Sequence, residues 1–358
     1  MLPTSSSFAS FGLVPDLTNR QILLRRRPAG LVNADDTEMV AAPAPEPADG
    51  EALLRTTYVG IDAAARTWLD DQPGYLPPVQ LGEVIRAAGI GEVVASQCDA
   101  YAVGDVVTTL TGFQDYAIIR DDIFATPVVG YTDQRAVMSV YGPTGATAYF
   151  GMTGVGRPQP GETVVVSAAA GATGSVAGQI ARIAGARVVG IAGGPEKCRA
   201  LLEDFGFDAA VDHRSATFAD DLAAAVPDGV DVYFENVGGH VAREVARHYN
   251  LYARVPVCGL VADYNATSAP SGPDRLPGFM RLVLTKSLTV RGFIQSEFTR
   301  SHGRDFLRDM SGWVADGSVR YREDVVDGLE NAPEAFRGML AGRNFGKVLV
   351  RVSDDPTL

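Results

Sequence analysis

Three glycines stand where a strand-like run meets a helix-like one: Gly171, Gly174 and Gly178, in SAAAGATGSVAG (167–178). The preceding ETVVV reads as a buried strand and the following QIARIAG as a helix. Glycine costs roughly 0.5–1 kcal/mol relative to alanine inside an element, so three at one turn need a reason. Such a turn lets an anion approach the backbone, while the new helix offers unpaired N–H groups and the positive end of its dipole. The chemistry expected of Gly171, Ala172, Thr173 and Gly174 is phosphate binding. The spacing Gly-x-x-Gly-x-x-x-Gly departs from the common Gly-x-Gly-x-x-Gly, with Ala169 where the first glycine would fall. In a strand–turn–helix setting it still points to the pyrophosphate of a dinucleotide.

The next strand selects among dinucleotides. An acidic residue at its tip would bond free ribose hydroxyls. Here VVGIAGGPEK ends in Gly193 and Gly194, with Lys197 just beyond and no carboxylate at the tip. His213 and Arg214 follow the third strand near the same end of the sheet. Space plus positive charge fits a ribose 2′-phosphate, so the expected cofactor is NADPH rather than NADH.

Other chemistries find little support. Cys98, Cys198 and Cys258 are far apart, and none of the four histidines forms a ligand-spaced pair with another His or Cys, so no metal site is expected. With 31 basic and 43 acidic residues the net charge is −12, which argues against nucleic acid and anionic membranes as partners. No apolar run approaches the length of a membrane span. The sparse cysteines suit a reducing, cytoplasmic setting.

These side chains need elements to position them. Residues 16–130 carry short strand patterns punctuated by Pro, Gly and Asp, such as QILLRR, EALLRTTYVGI and DVVTTL, and read as a mostly antiparallel, partly open β-barrel domain. From 131 to 309 strands alternate with helices, the pattern of a doubly wound parallel Rossmann sheet. GKVLVRV (346–352) is strand-like again, so 310–358 is expected to rejoin the first domain, leaving the dinucleotide domain inserted between two parts of the barrel. Residues 1–15 read as a flexible tail.

Several stretches together resemble the medium-chain dehydrogenase/reductase superfamily over about residues 18–352: NRQILLRRRPAG, the long block from SAAAGATG to AAVDHRS, DVYFENVGG, GLVADYN, RGFI and NFGKVLVRV. They are most similar to its zinc-free branch of prostaglandin reductases, leukotriene dehydrogenases, alkenal double-bond reductases and curcumin reductases. The resemblance implies NADPH-dependent reduction of a carbon–carbon double bond conjugated to a carbonyl, and a homodimer. It implies that Lys197 and His213, which stands where the family usually has tyrosine, hold the 2′-phosphate. Asn236, Phe293 and Thr147 would line the nicotinamide end, with Cys258 and Gly259 on the same wall. Asn344 and Gly346 would touch the phosphate and ribose region. Tyr264 would bond near the nicotinamide ribose and the substrate carbonyl, where a hydrogen-bond donor stabilises a developing enolate. A zinc alcohol dehydrogenase is not expected, because residues 16–130 hold no His and QLGEV stands where Gly-His-Glu would be.

The chain also departs from that pattern. Where the family resembles Asp-Pro-Tyr-Met-Arg, this sequence reads Asp62-Ala63-Ala64-Ala65-Arg66, and Tyr141 replaces a small aliphatic residue. Asp62, Ala64, Ala65, Arg66 and Tyr141 are the expected substrate pocket. A ring and a thioether missing from Ala64 and Ala65 imply room for a large enone or polyene. Some relatives of this branch, encoded with polycyclic macrolactam pathways, are thought to let the enolate close a carbocycle, so reductive cyclisation is the alternative. A non-catalytic NADPH-binding redox sensor is the alternative of another class.

Overall fold

Two patterns of burial divide the chain between two main sheets. The computed structural model describes residues 17–122, 125–131, 133–268 and 272–357; the tail expected at 1–15 lies outside them. The first region opens with an antiparallel hairpin of β1 (Thr18–Leu24) and β2 (Thr37–Pro43). Then come β3 (Glu51–Ile61), β4 (Gly89–Ser96), β5 (Val106–Thr109), β6 (Tyr116–Arg120) and β7 (Thr126–Pro127). The eleven-residue β3 is the spine. One edge pairs with β4; the other pairs with β6 at Glu51–Arg55.

The chain crosses over through α1 (Gln134–Met138) and α2 (Pro143–Phe150). Val137 and Met138 still pack with Tyr58 and Ile90 of the first region, so the passage follows α1 rather than falling at 130/131. A doubly wound unit follows: β8 (Thr163–Val166), α3 (Ala172–Ile183), β9 (Arg187–Ala192), α4 (Pro195–Glu203), β10 (Ala209–Asp212), α5 (Phe218–Ala225), β11 (Val230–Phe234), α6 (Gly239–Ala246), β12 (Tyr249–Val257), α7 (Leu276–Lys286) and β13 (Thr289–Gly292). All six strands are parallel, in the order β10-β9-β8-β11-β12-β13. Every residue of β8, TVVV, is buried, as a strand covered on both faces requires. The order reverses between β8 and β11, and the crevice beyond their carboxyl ends is where such sheets take ligands.

The long α8 (Ser296–Ala315) runs unbroken through 309/310, the expected domain boundary. Its buried Phe306 and Met310 belong to the core of the parallel-sheet unit. The return therefore comes after Ala315, because that apolar stripe holds the whole helix. Then β14 (Glu323–Asp327), α9 (Ala332–Leu340) and β15 (Lys347–Arg351) rejoin the first sheet. There β15 pairs antiparallel with Tyr58–Ile61 of β3, and Val348, Val350 and Phe336 enter its core. The insertion read from the sequence is the observed architecture.

Candidate active site

The glycine turn is tight for identifiable reasons. After β8, Ala168 takes φ +47°, a left-handed conformation costing an alanine roughly 1–2 kcal/mol. A Cβ on Gly174 would lie 2.4 Å from the Ala168 carbonyl oxygen, and one on Gly171 3.2 Å from it. Gly178 plays a different part: its Cβ would strike the Phe207 ring at 2.0 Å, so it lets α3 pack against the segment that leads into β10. Gly346 (φ +73°) donates its N–H to the Ala170 oxygen at 2.9 Å, tying the turn to the start of β15. Asn344 donates Nδ2 to the Gly346 oxygen at 2.9 Å and holds that joint.

At the tips of β9 and β10 three basic groups converge. A Cβ on Gly193 would lie 2.8 Å from Arg214 Nε and 3.0 Å from His213 Nε2, so the bare backbone lets both side chains close over the strand tip. Lys197 donates Nζ to the Gly342 oxygen at 2.9 Å. Burial, and then the charge of Arg214, push the Lys197 ammonium below its usual range. The His213 imidazole is pushed down by burial first, then by Arg214 and His240. Asp212 turns away, accepting from the backbone N–H groups of Gly194 and Arg214 at 2.9 Å each. Two basic side chains and an imidazole gathered at the strand tips form a site suited to an anion.

One cavity of about 2040 Å³ runs from this cluster to the first domain. Asn236 lines its middle, with Nδ2 donating to the Ser167 oxygen at 2.7 Å. Thr147, Cys258, Gly259, Tyr264 and Phe293 line it as well. Burial first, then Glu235, pushes the Cys258 thiol up to about 12, so it is no thiolate nucleophile at neutral pH. The Tyr264 hydroxyl accepts the Leu260 N–H at 3.3 Å; burial holds its pKa above the usual value, leaving a neutral phenol whose proton is free to donate.

At the far end Ala63, Ala64 and Ala65 line the cavity together with Trp68, Tyr75 and Tyr141, with Ala65 itself buried in the core of the first domain. Asp62 is pinned by Lys347, Nζ to Oδ1 at 2.5 Å, with the lysine almost wholly buried. Tyr75 packs edge-on against Trp68 at 6.1 Å. Its hydroxyl is pushed up to about 12 by desolvation first and then by Tyr264, and both tyrosines line the cavity.

Two expected site residues fall outside the cavity wall. Arg66 is buried behind it, donating to the Gly30 oxygen (2.9 Å), Asn265 Oδ1 (3.0 Å) and Asp70 Oδ1 (2.7 Å). It clamps three segments instead of facing a substrate, because a buried guanidinium must satisfy its donors. Gly194, at φ +94°, does not line the cavity either; it turns the chain into α4. Sequence reasoning passed over Tyr75, Tyr131, Arg300, Arg304 and the cavity-lining role of Lys347. The only local signal was the i, i+4 spacing of the two arginines.

The chain is similar to known oxidoreductases over most of its length. Residues 20–126 match the family described as the N-terminal domain of oxidoreductase, and residues 172–311 the one described as zinc-binding dehydrogenase. Among the described residues, however, no group of three or more His, Cys, Asp or Glu side chains is placed to hold a metal ion. The NADPH-dependent curcumin reductase of Escherichia coli is 43% identical over 337 residues, covering 94% of this chain and 98% of the relative. Prostaglandin reductase 1 of Bos taurus is 32% identical, covering 92% and 97%. The crystal structure of CurA from Vibrio vulnificus in complex with NADPH superposes with a TM-score of 0.91 at 42% identity, covering 94% and 99%.

Proposed function

The chain belongs to the medium-chain dehydrogenase/reductase superfamily, in the branch of the curcumin, prostaglandin and 2-alkenal reductases, and on that premise we propose that it reduces the β-carbon of a bulky α,β-unsaturated carbonyl. Its cofactor is NADPH. The residues present fit it: the glycine turn accepts a pyrophosphate at the α3 N-terminus, and Lys197 and Arg214, with the His213 imidazole beside them, form a basic end for the 2′-phosphate. When bound, NADPH supplies hydride to the conjugated double bond.

The chain's own work is to orient and stabilise. Asn236, fixed by Ser167, and Phe293 shape the wall between the phosphate end and the substrate end. As the β-carbon gains electrons, negative charge gathers on the carbonyl oxygen. The protonated phenol of Tyr264 donates there. No step calls on a metal. The observation that carries this reading is continuity: one cavity joins the cationic cluster to the alanine-lined pocket.

A second reading, reductive ring closure, is favoured by the room over Ala63–Ala65, where a folded polyene would bring a second carbon to the enolate. We also read the chain as a cytoplasmic homodimer. Edge strand β13 is exposed along its length, and α7 buries none of its residues, leaving Leu276, Met280 and Leu284 in the open; sedimentation checks this.

The test is turnover of a bulky enone in deuterated water with Tyr264→Phe alongside. Reduction places solvent deuterium on the α-carbon, whereas cyclisation leaves a new carbon–carbon bond there. Loss of the donor should lower kcat by roughly a hundredfold or more. NADPH binding with no turnover of any enone would instead support a non-catalytic sensor.

A further inference from the structure

The charge around the cavity is uneven in a way that cofactor binding leaves unexplained. The protein carries a net charge of −12. Yet its cavity is lined by Lys197, Arg214, Arg300, Arg304 and Lys347 against a single carboxylate, Asp62, among the described residues. Lys347 and Asp62 neutralise each other. Lys197 and Arg214 belong to the phosphate end. Arg300 and Arg304 remain.

Both sit on α8, one turn apart, and neither has an ion-pair or hydrogen-bond partner among the described residues. The acids of that helix are engaged elsewhere. Glu297 pairs with Arg291 (3.1 Å), and Asp305 and Asp309 with Arg308 (2.6 and 2.8 Å). The spacing 300, 304, 307, 311 defines one face of the helix. Arg300, Arg304 and Leu307 line the cavity, and Ser311 bonds the Tyr131 hydroxyl at 2.9 Å. The Tyr131 ring packs on Tyr141 at 4.5 Å, and both line the same wall. Arg304 thus stands about 10 Å along the helix from the tyrosine pair, and Arg300 about 16 Å, at 1.5 Å per residue.

We infer that Arg300 and Arg304 form an anion-binding subsite for a negatively charged group on the substrate. The enone body lies against Tyr131 and Tyr141, and a carboxylate or phosphate on the same molecule reaches the α8 arginines. Guanidinium groups suit this task because their planar fork matches both oxyanions. The open position of the pair lets a long substrate keep its charged end at the mouth while its apolar body is enclosed. The inference rests on the reductase reading for the word substrate; the subsite itself is a binding property.

The test is therefore equilibrium binding. The NADP+-loaded protein is titrated calorimetrically with a long-chain saturated oxo-acid, its methyl ester and a phosphate-terminated analogue of equal length. The acid should bind at least about tenfold more tightly than the ester, with the advantage shrinking as salt rises. Arg300→Gln/Arg304→Gln should bring the acid-to-ester ratio close to one, and Arg300→Lys/Arg304→Lys should restore part of it. Whichever anion binds more tightly identifies the source of the charge. Equal binding of acid and ester by the unaltered protein would overturn the inference, as would a preference that survives the double glutamine variant. Turnover of the matching unsaturated esters is followed in parallel. Its absence counts against enone reduction, while the calorimetric ratio still decides the subsite.

Discussion

The two ends of the cavity are built by different means. At the phosphate end the backbone does most of the work. Gly171 and Gly174 press against the Ala168 carbonyl, and Gly346, just before β15, ties the turn to the first sheet through Ala170. At the substrate end side chains do the work. They come from the segment after β3, the 131–141 crossover, the loop after β12 and α8, which are far apart in sequence. A backbone-built site admits almost no variation. A side-chain-built site can change at a single lining residue, such as Ala64, without rebuilding a backbone turn. The cofactor end is thus fixed by its geometry, and the substrate end is free to change with the chemistry required.

The largest effect should come from violating the backbone end. Gly174→Val puts branched carbons into a space where even a Cβ would sit 2.4 Å from the Ala168 oxygen. NADPH affinity should fall by at least about a hundredfold, roughly 2.7 kcal/mol, in a titration of intrinsic fluorescence. Near-normal affinity would show that the turn has more slack than its contacts indicate.

A smaller effect is expected where that end uses side chains. Lys197→Ala should weaken NADPH by about tenfold, roughly 1.4 kcal/mol, and leave NADH nearly unchanged. His213 adds a pH dependence. Burial and Arg214 hold its imidazole below the usual histidine range in the free protein, so it is neutral near pH 7. A bound phosphate opposes that depression and raises the pKa. Binding then takes up a proton, and affinity strengthens as pH falls toward the histidine range, until the phosphate itself protonates. NADPH dissociation constants measured between about pH 8 and 6.5 should fall a few-fold, whereas NADH stays flat. His213→Gln should flatten the NADPH curve; an unchanged slope in that variant would assign the proton elsewhere.

The same contrast explains what the sequence discloses. The glycine turn, the carboxylate-free tip at Gly193 and the basic Lys197 and His213 are local features, each within a few residues of the strand that presents it. Strand–helix alternation made the inserted parallel sheet legible for the same reason. Arg66 was misplaced because, besides the local i, i+4 partner Asp70, the acceptors that bury it, Gly30 and Asn265, are 36 and 199 residues away; the Asp70 spacing alone does not say that the side chain turns away from the pocket. Tyr75 sits in the Pro- and Gly-rich DQPGYLPP, which reads as a plain loop. Arg300 and Arg304 lie on a helix whose cavity-facing side is set by Phe306 and Met310 docking into the core. The domain boundary at 309/310 failed on that stripe too, since it continues through the expected break.

The most direct test of the fixed and variable ends is Ala64→Tyr, which puts a ring into the alanine segment without touching the phosphate end. The NADPH dissociation constant and kcat/KM for a small and a bulky enone are measured in the variant and in the unaltered protein. NADPH binding should stay within about twofold of the original, small-enone turnover should be retained or improved, and bulky-enone turnover should be lost, because added bulk removes volume that only the larger substrate uses. Loss of NADPH affinity, or equal turnover of the bulky enone by both proteins, would contradict a fixed phosphate end and a variable substrate end.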